Sequence, residues 1–406
     1  WARGSRARGS RAGGSRARGS RAGGSRTRGA RALNIGDLRT PALILDRDRL
    51  ARNIAAMTGR MKAKGVRLRP HLKTAKSAKV AELALADNFG GITVSTIAEA
   101  SYFAEAGFRD ITYALGAVPA KLDALAPLLK DGVAVQLITD DTEAARRLNA
   151  RAAELGLTLD LLIEIDSGLG RGGVRPESEA VVEIGRVIHG SEHLRLEGVL
   201  THAGHSYRAG SVAEVKAVAE EERSGLVLAA ERLRQAGLPC PTVSGGSTPT
   251  AMHAENLEGV TEMRPGNYMF FDLDQVGLKS CTVDDVAVSV LATVIGHNRR
   301  SGTLLIDAGA LALSKDMSAN AHLPDAGYGW VFKRLGRQRI GDLRVDEVHQ
   351  EHGFVKGALP FDALPIGSLV RVIPNHSCIT CAMYDRYYVT EGGERITEVW
   401  PRINGW

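Results

Sequence analysis

The sequence predicts a mixed α/β fold in which a (β/α)8 barrel is followed by a C-terminal antiparallel β domain. From Thr40 onward, short β-branched runs alternate with longer amphipathic stretches, which is typical of parallel β–α units. Beyond Asp284 the helical periodicity largely ends, and apolar runs follow one another between Gly, Pro and Asn turns. A doubly wound open sheet is the alternative for the first part, but no GxGxxG motif follows its first strand.

The first part contains an opening strand, a helix and then eight strand candidates. The opening strand covers residues 40–46 and the helix covers 48–64. The strand candidates cover residues 66–73, 91–96, 110–116, 133–139, 159–166, 195–202, 241–246 and 260–266. Eight strands with helical patterns between them fit one closed barrel. We therefore predict a barrel over residues 33–284 and a β domain over 285–406, which the opening strand can join.

The N-terminal 32 residues differ in composition from the rest of the chain. The whole chain has 406 residues and a formal net charge of +6, but residues 1–32 contain ten Arg and no acidic residue, so the remainder has a net charge of −4. The segment repeats Gly, Ser and Arg with a ten-residue period and has no apolar periodicity, which predicts a disordered tail. A linker or a translated upstream repeat is favoured over an arginine-rich arm for nucleic acid, because the repeat contains no interleaved aromatic residues.

Composition also excludes several classes of protein. No window approaches 18 uninterrupted apolar residues, so no membrane span is expected. Four cysteines do not make a disulfide framework, which favours the cytoplasm. Aromatic residues are only 5% of the chain, too few for a platform that stacks single-stranded nucleic acid. We expect a cytoplasmic enzyme without nucleic-acid or membrane partners.

Chemically active residues follow the predicted barrel strands at their C-terminal ends, where barrel enzymes place their functional groups. Lys73 ends the first strand and Arg171 follows the fifth. The residues at or directly after the ends of the sixth, seventh and eighth strands are His202, His205, Gly245, Gly246, Ser247, Thr248, Arg264, Gly266, Asn267 and Tyr268. One rim of the barrel is therefore expected to collect them.

The turn at residues 245–248 and Lys73 together point to one type of cofactor. A Gly-Gly-Ser-Thr turn is usually only a tight connection, but barrels commonly bind phosphate after strands seven and eight, where Tyr268 adds a hydroxyl. A lysine in a strand must be paired, exposed or neutralised. An amine that faces a phosphate cradle across a barrel is what a Schiff-base cofactor such as pyridoxal phosphate requires.

A second constellation, PNHSC, contains His376 and Cys378. On a strand, residues two apart face the same side, so imidazole and thiolate can reach one metal ion. Taken alone, a buried cysteine beside a hydrogen-bonded histidine is the commoner explanation. Cys378 and Cys381 also form a CxxC motif, but no β–α–β unit precedes it, which disfavours a redox pair.

Taken together, these motifs resemble the fold-type III pyridoxal-phosphate enzymes of the D-threonine aldolase and D-serine dehydratase group. The resemblance spans roughly residues 33–400, and its motifs are RPHLKTAKS, GRGG, THAGHSY, SGGSTPT, RPGNYMFFD, DAGALALSKD, QEHG and PNHSC. It implies an alanine-racemase-like barrel, a C-terminal β domain, a homodimer and a divalent metal beside the cofactor.

The resemblance also implies a role for each site residue. Lys73 would form the Schiff base with pyridoxal phosphate, and Arg171 would contact the side of the cofactor that carries the 3′-oxygen. The phosphate would be held by Gly245, Gly246, Ser247, Thr248 and Tyr268. His376 and Cys378 would bind the metal, which is Mn, Mg or Zn. His205, with His202 as second choice, would be the base near the substrate.

The motifs leave two reactions open. A Cys at the second metal-ligand position is typical of the dehydratases, whereas LKTAKS, SVLATVIGH and ALALSKD are typical of the aldolases. We expect retro-aldol cleavage of a D-β-hydroxy amino acid, such as D-threonine to glycine and acetaldehyde. Dehydration of D-serine or D-3-hydroxyaspartate to a keto acid and ammonia is the alternative. A non-catalytic carrier of pyridoxal phosphate would need neither the β domain nor the HxC pair.

Overall fold

A computed structural model of the chain describes residues 33–89, 91–336 and 338–406. The tail predicted over residues 1–32 therefore lies outside the described residues. The described chain begins with a short 3-10 turn (Ile35–Asp37), strand β1 (Ala42–Asp46) and helix α1 (Arg47–Ala63). Asp46 accepts a hydrogen bond from the backbone of Arg49 and so caps α1 at its first residues.

Eight parallel strands among the described residues then form the barrel, one for each of the eight predicted strands. They are β2 (Arg67–Leu68), β3 (Ile92–Val94), β4 (Asp110–Gly116), β5 (Ala134–Thr139), β6 (Leu159–Glu164), β7 (Leu194–Leu200), β8 (Thr242–Gly245) and β9 (Glu262–Met263). Their order is β2-β9-β8-β7-β6-β5-β4-β3. A parallel bridge between His71 and Thr93 brings the first and last strands of this order together. The predicted barrel is confirmed.

Helices connect the strands and cover the outside of the barrel. They are α2 (Ala78–Leu85), α3 (Ile97–Glu105), α4 (Pro119–Lys130), α5 (Thr142–Leu155), α6 (Ala180–His189), α7 (Val212–Gln235), α8 (Thr248–His253) and α9 (Leu273–Gly277). Helix α5 shows why these stretches are helical. Asp141 caps its start, Gly156 ends it with φ +65°, and the face formed by Ala145, Leu148 and Ala152 is buried.

The described part of the second half forms a nine-stranded sheet that includes β1. Its other strands are β10 (Val288–Asn298), β11 (Thr303–Ile306), β12 (Gly329–Lys333), β13 (Arg339–Val348), β14 (Gly353–Lys356), β15 (Leu369–Pro374), β16 (Arg386–Thr390) and β17 (Ile396–Pro401). The order is β11-β14-β13-β12-β15-β10-β1-β16-β17, and β10 also pairs with β11, which closes six strands into a small antiparallel barrel. Two short helices, α10 (Ala310–Leu313) and α11 (Ser377–Cys381), interrupt this half. The antiparallel β domain is thus confirmed, while its boundary at residue 285 stays a prediction.

One continuous apolar core joins the two sheets. It extends from barrel residues such as Leu161 and Val199 to residues of the β domain such as Val290 and Val372, all fully buried. Because this core is shared, the C-terminal ends of the barrel strands and the start of α11 have fixed relative positions. Within the described ranges, the helices are too short or too polar to cross a membrane.

Gly198 provides a test of this strand arrangement. It lies at a β-bulge in β7 with φ +132°, and a Cβ there would overlap the carbonyl oxygen of Thr242 on β8. We expect Gly198→Ala to lower the free energy of unfolding by about 2–4 kcal/mol. Gly59→Ala is the matched control, because Gly59 is helical and a Cβ there meets nothing within 4 Å; it should be neutral or stabilising by about 0.5–1 kcal/mol. Urea unfolding checks both values, and equal effects of the two substitutions would contradict the arrangement.

Candidate active site

An open cavity of about 410 Å³ lies at the C-terminal ends of the barrel strands, where the barrel meets the β domain. The residues that line it include Lys73, Lys76, Ser95, Glu99, His202, Ser247, Thr248, Arg264, Asn267, His376 and Cys378. A neighbouring lobe of about 340 Å³ contains Arg171 and Glu164. The two lobes share His71, Lys73, Ser95, His202 and Arg264. The structure therefore brings most of the sequence-predicted residues around Lys73.

Two neutral histidines and a buried arginine surround Lys73. Burial, and then the positive charges of Lys73 and Arg264, hold the pKa of His71 well below its usual range, and the same is true of His202, where Arg171 adds a further charge. His71 in turn lies 3.3 Å from the hydroxyl of Ser95. Burial also lowers the pKa of Arg264 to about 10, so that it is still a cation at neutral pH. The cavity wall around Lys73 is therefore cationic and suits an anionic cofactor.

The turn after β8 is held by hydrogen bonds within the protein. The amide of Gly246 donates to Glu222 at 2.9 Å, and the amide of Ser247 donates to the hydroxyl of Thr250 at 2.9 Å. Both amides are thus engaged within the protein. The hydroxyl-bearing residues Ser247 and Thr248 line the cavity instead. Gly246 has φ +104°, a conformation that favours glycine.

Two buried polar atoms next to this turn have no hydrogen-bond partner among the described residues, namely Tyr268 Oη and Asn267 Oδ1. Tyr268 is fully buried, and its backbone amide donates to Thr248 at 3.2 Å. Buried polar atoms are nearly always hydrogen-bonded in proteins, so each such atom calls for a partner. Tyr268 does not itself line the cavity, whereas Ser247, Thr248 and Arg264 do, and these three residues fit a phosphate group.

The sequence predicted that His376 and Cys378 lie on a strand. In the structure they flank Ser377, the first residue of α11. The structure still brings the two side chains together, because the first turn of α11 places them close to each other. Burial alone would lower the pKa of His376, but the charge of Cys378 and a 2.7 Å hydrogen bond with Asp316 hold that pKa well above its usual range. Burial would raise the pKa of Cys378, yet the charge of His376 lowers it. A thiolate is the form of cysteine that binds metals.

The thiol of Cys378 also connects this pair to Lys73. Its sulfur lies 3.0 Å from the hydroxyl of Thr74, the residue that follows Lys73. In the described part of the chain, no cluster of three or more His, Cys, Asp or Glu side chains has metal-binding geometry. His376 and Cys378 would therefore supply two ligands and leave the remaining positions of an ion open to small molecules.

The carboxylate of Asp272 positions this pair. One oxygen accepts hydrogen bonds from Asn267 Nδ2 at 2.6 Å and from the backbone and hydroxyl of Ser377 at 2.9 and 3.1 Å. The other oxygen caps α9 through Gln275. Four residues of the site were not predicted from the sequence, although each lies within one of the family-like motifs: Asp272, Asp316, His71 and Lys76.

His205, the first choice for the base, does not line either lobe of the cavity. Its ring packs near Gly168 and lies 3.7 Å from Glu221 of α7. The 3-10 turn Gly204–Arg208 directs it away from Lys73, whereas His202 precedes that turn and faces the cavity. Of the two candidates, His202 is therefore the one that lines the cavity next to Lys73.

Comparison with known proteins agrees with this architecture. A family model for the N-terminal domain of alanine racemase matches residues 45–274, and a model for a serine dehydratase domain matches residues 287–390. D-threo-3-hydroxyaspartate dehydratase from Delftia sp. (strain HT23) is 44% identical over 91% of this chain and 98% of its own. Its solved structure superposes with a TM-score of 0.88 at 43% identity and covers 92% of this chain and 100% of that chain.

This chain belongs to the fold-type III pyridoxal-phosphate family of D-hydroxy amino acid lyases. The family also includes 3-hydroxy-D-aspartate aldolase from Paracoccus denitrificans, which is 30% identical over 90% of this chain and 92% of its own. Solved variants of D-threo-3-hydroxyaspartate dehydratase replace a histidine and, two positions later, a cysteine by alanine, and the cysteine variant is in a metal-free form. The chain is thus a pyridoxal-phosphate-dependent lyase, and its family binds a metal.

The neutral state of His202 in this family member makes a pH-dependent prediction. The unfolded chain takes up a proton on this histidine near pH 6.5, whereas the folded cofactor-free protein holds its pKa well below that value and stays neutral. Stability is therefore lost as the pH falls, by about 1 kcal/mol per such histidine between pH 6.5 and 5.5. Urea unfolding across this range should show a smaller loss for His202→Gln than for the wild type. Identical losses in the two proteins would contradict a neutral His202.

Proposed function

We propose that this lyase is a dehydratase of D-β-hydroxy amino acids, with D-threo-3-hydroxyaspartate as the first substrate to test. The observation that carries the proposal is the thiolate–imidazole pair of Cys378 and His376 in one cavity with Lys73. The 44% identity to the Delftia dehydratase supports it. In solved structures of D-threo-3-hydroxyaspartate dehydratase, a histidine and a cysteine at the same spacing were varied, and the cysteine variant was metal-free.

The residues around the cavity fit both groups that the family uses. Lys73 would hold pyridoxal phosphate covalently, with Arg171 in the neighbouring lobe on the side of its 3′-oxygen. Ser247, Thr248 and Tyr268 would hold the phosphate, while Gly245 and Gly246 shape the turn. In support, Tyr268 Oη is buried without a partner among the described residues.

The metal would bind to Cys378 Sγ and the imidazole of His376. Asp316 accepts a hydrogen bond from Nδ1 of that ring, which leaves Nε2 as the ligand atom. A thiolate is a soft ligand and favours zinc over magnesium. With two protein ligands, the ion would have room for the β-hydroxyl group of a substrate.

When bound, pyridoxal phosphate delocalises the electron pair at Cα and the metal polarises the β-hydroxyl group. The protein residues supply proton transfer and charge balance. Lys73 Nζ, as a free amine in this cavity, would remove the α-proton of the substrate. His202, which is neutral, can accept a proton in the same cavity but has no imidazolium proton to donate. Arg264 stays charged at the barrel mouth and balances the phosphate.

Retro-aldol cleavage, the reaction that the sequence favoured, is the second candidate. The 30% identity to 3-hydroxy-D-aspartate aldolase supports it, and the same cavity can serve it. In that reaction His202 would take the proton of the β-hydroxyl group and the Cα–Cβ bond would break. The homodimer and the cytoplasmic location stay predictions.

Product analysis separates the two reactions. The loaded enzyme is incubated with D-threo-3-hydroxyaspartate, D-serine and D-threonine, and products are identified by mass spectrometry and an ammonia assay. A dehydratase releases ammonia and a keto acid in equal amounts, whereas an aldolase releases glycine and an aldehyde. We expect ammonia and keto acid from D-threo-3-hydroxyaspartate.

Two variants serve as controls for this experiment. Lys73→Ala removes the amine and should abolish product formation with every substrate. Lys79→Ala removes an exposed lysine that pairs with Glu82 on α2, and it should react like the wild type. Glycine as the main product from D-threo-3-hydroxyaspartate would refute the proposed reaction and favour the aldolase.

A further inference from the structure

Lys76 is a second lysine in the wall of the active-site cavity, one turn after Lys73. It lines the same lobe as Lys73, His376 and Cys378. Its side chain is only 15% exposed, and its Nζ lies 3.0 Å from Oε1 of Glu99, which is itself 1% exposed. The other oxygen of Glu99 accepts a hydrogen bond from the backbone of Ser95. The ammonium group of Lys76 is therefore positioned by the buried carboxylate of Glu99.

The backbone at Lys76 is held in an uncommon conformation. Its φ is +46°, in the left-handed region that a residue with a Cβ rarely adopts. Its amide donates to Leu72 at 2.7 Å, and its carbonyl accepts from Ile403 at 2.8 Å. A local contact with Leu72 and a long-range contact with Ile403 thus fix the backbone at Lys76. Such conformations cluster where a protein positions a functional group.

The other cations of the cavity are already engaged. Lys73 would carry the cofactor, and Arg264 donates to Ser244 at 2.7 Å and to the carbonyl of Thr201. Arg171 lies in the other lobe, 3.6 Å from Glu164. An ammonium group has three donors, and the described residues give Lys76 a single partner, Glu99. Among the described residues, the Lys76 ammonium group therefore has N–H donors that can bind a ligand.

We propose that Lys76 determines substrate specificity by binding the second carboxylate of a dicarboxylic D-β-hydroxy amino acid. This inference rests on the proposed function, because it assumes that the β-hydroxyl group lies at His376 and Cys378. A carboxylate on the same carbon then lies in the lobe that Lys76 lines. Glu99 holds the ammonium group in position, and the substrate carboxylate takes one of its free donors.

Steady-state kinetics with two substrates provide the first test. Lys76→Met alone leaves Glu99 buried without its cation, so the test variant is Lys76→Met combined with Glu99→Gln. Loss of a charge-assisted hydrogen bond should raise KM for D-threo-3-hydroxyaspartate by about 10- to 100-fold, and far more than it raises KM for D-serine. Lys76→Arg should recover most of the difference, and Lys79→Met is the control for loss of an exposed lysine.

Calorimetric binding of unreactive acids provides a second readout that does not depend on turnover. The probes are D-malate, which has two carboxylates, and D-lactate, which has one. The double variant should weaken D-malate binding by about 10-fold or more and D-lactate binding by at most about twofold. Equal weakening of both acids, or no weakening, would overturn the role of Lys76.

These outcomes separate the failure of this inference from the failure of the proposed function. If the wild type forms glycine and an aldehyde, the proposed dehydratase is wrong, but the preference for D-malate still tests Lys76. A melting temperature of the double variant close to that of the wild type, with the D-malate preference lost, supports a role in binding. If the melting temperature falls and both acids retain their affinities, the pair is structural and the inference is overturned.

Discussion

The hydrogen bonds of the buried Asp272 carboxylate are the interaction on which the rest of the site depends. One of its oxygens accepts from Asn267 of the barrel and from the backbone and hydroxyl of Ser377 in the β domain. Because Ser377 lies between His376 and Cys378, this carboxylate fixes both members of the thiolate–imidazole pair at once. Cys378 then contacts Thr74, beside Lys73. Three segments that are far apart in sequence thereby form one cavity.

Charged groups near this cavity give its two histidines, His202 and His376, different protonation states at neutral pH. The pKa of His202 is held low by burial and by nearby cations, whereas the pKa of His376 is held high by Cys378 and Asp316. Two histidines of one cavity therefore take opposite protonation states: one can accept a proton, and the other can exchange its proton for a metal ion. An arginine deeper in the barrel mouth, Arg264, adds positive charge that suits an anionic cofactor.

Much of the fold could be predicted from the sequence, because strand and helix periodicity are local properties. All eight barrel strands and the change to antiparallel strands follow from them, and so does the rim at the strand ends. The structure differs from the expected placement of side chains where tertiary packing determines the local conformation. A strand was expected at His376 and Cys378, but a helix begins there. His205 was ranked above His202 as the base near the substrate, but a 3-10 turn directs its side chain toward α7. Asn267 and Gln275 are sequence neighbours of Asp272, but its hydrogen bonds to Ser377 join residues that are 105 positions apart, so its role at the site has no local signal.

The metal content of Asp272→Asn tests the central role of this carboxylate most directly. An amide has one acceptor atom, so it cannot accept the four hydrogen bonds that Asp272 accepts on two oxygens. Elemental analysis after dialysis against equimolar zinc gives the metal bound per protomer, and visible absorbance gives the bound cofactor. The predicted result is a protein that retains the cofactor but binds zinc at least about 10-fold more weakly than the wild type. Zinc affinity equal to that of the wild type would contradict the account.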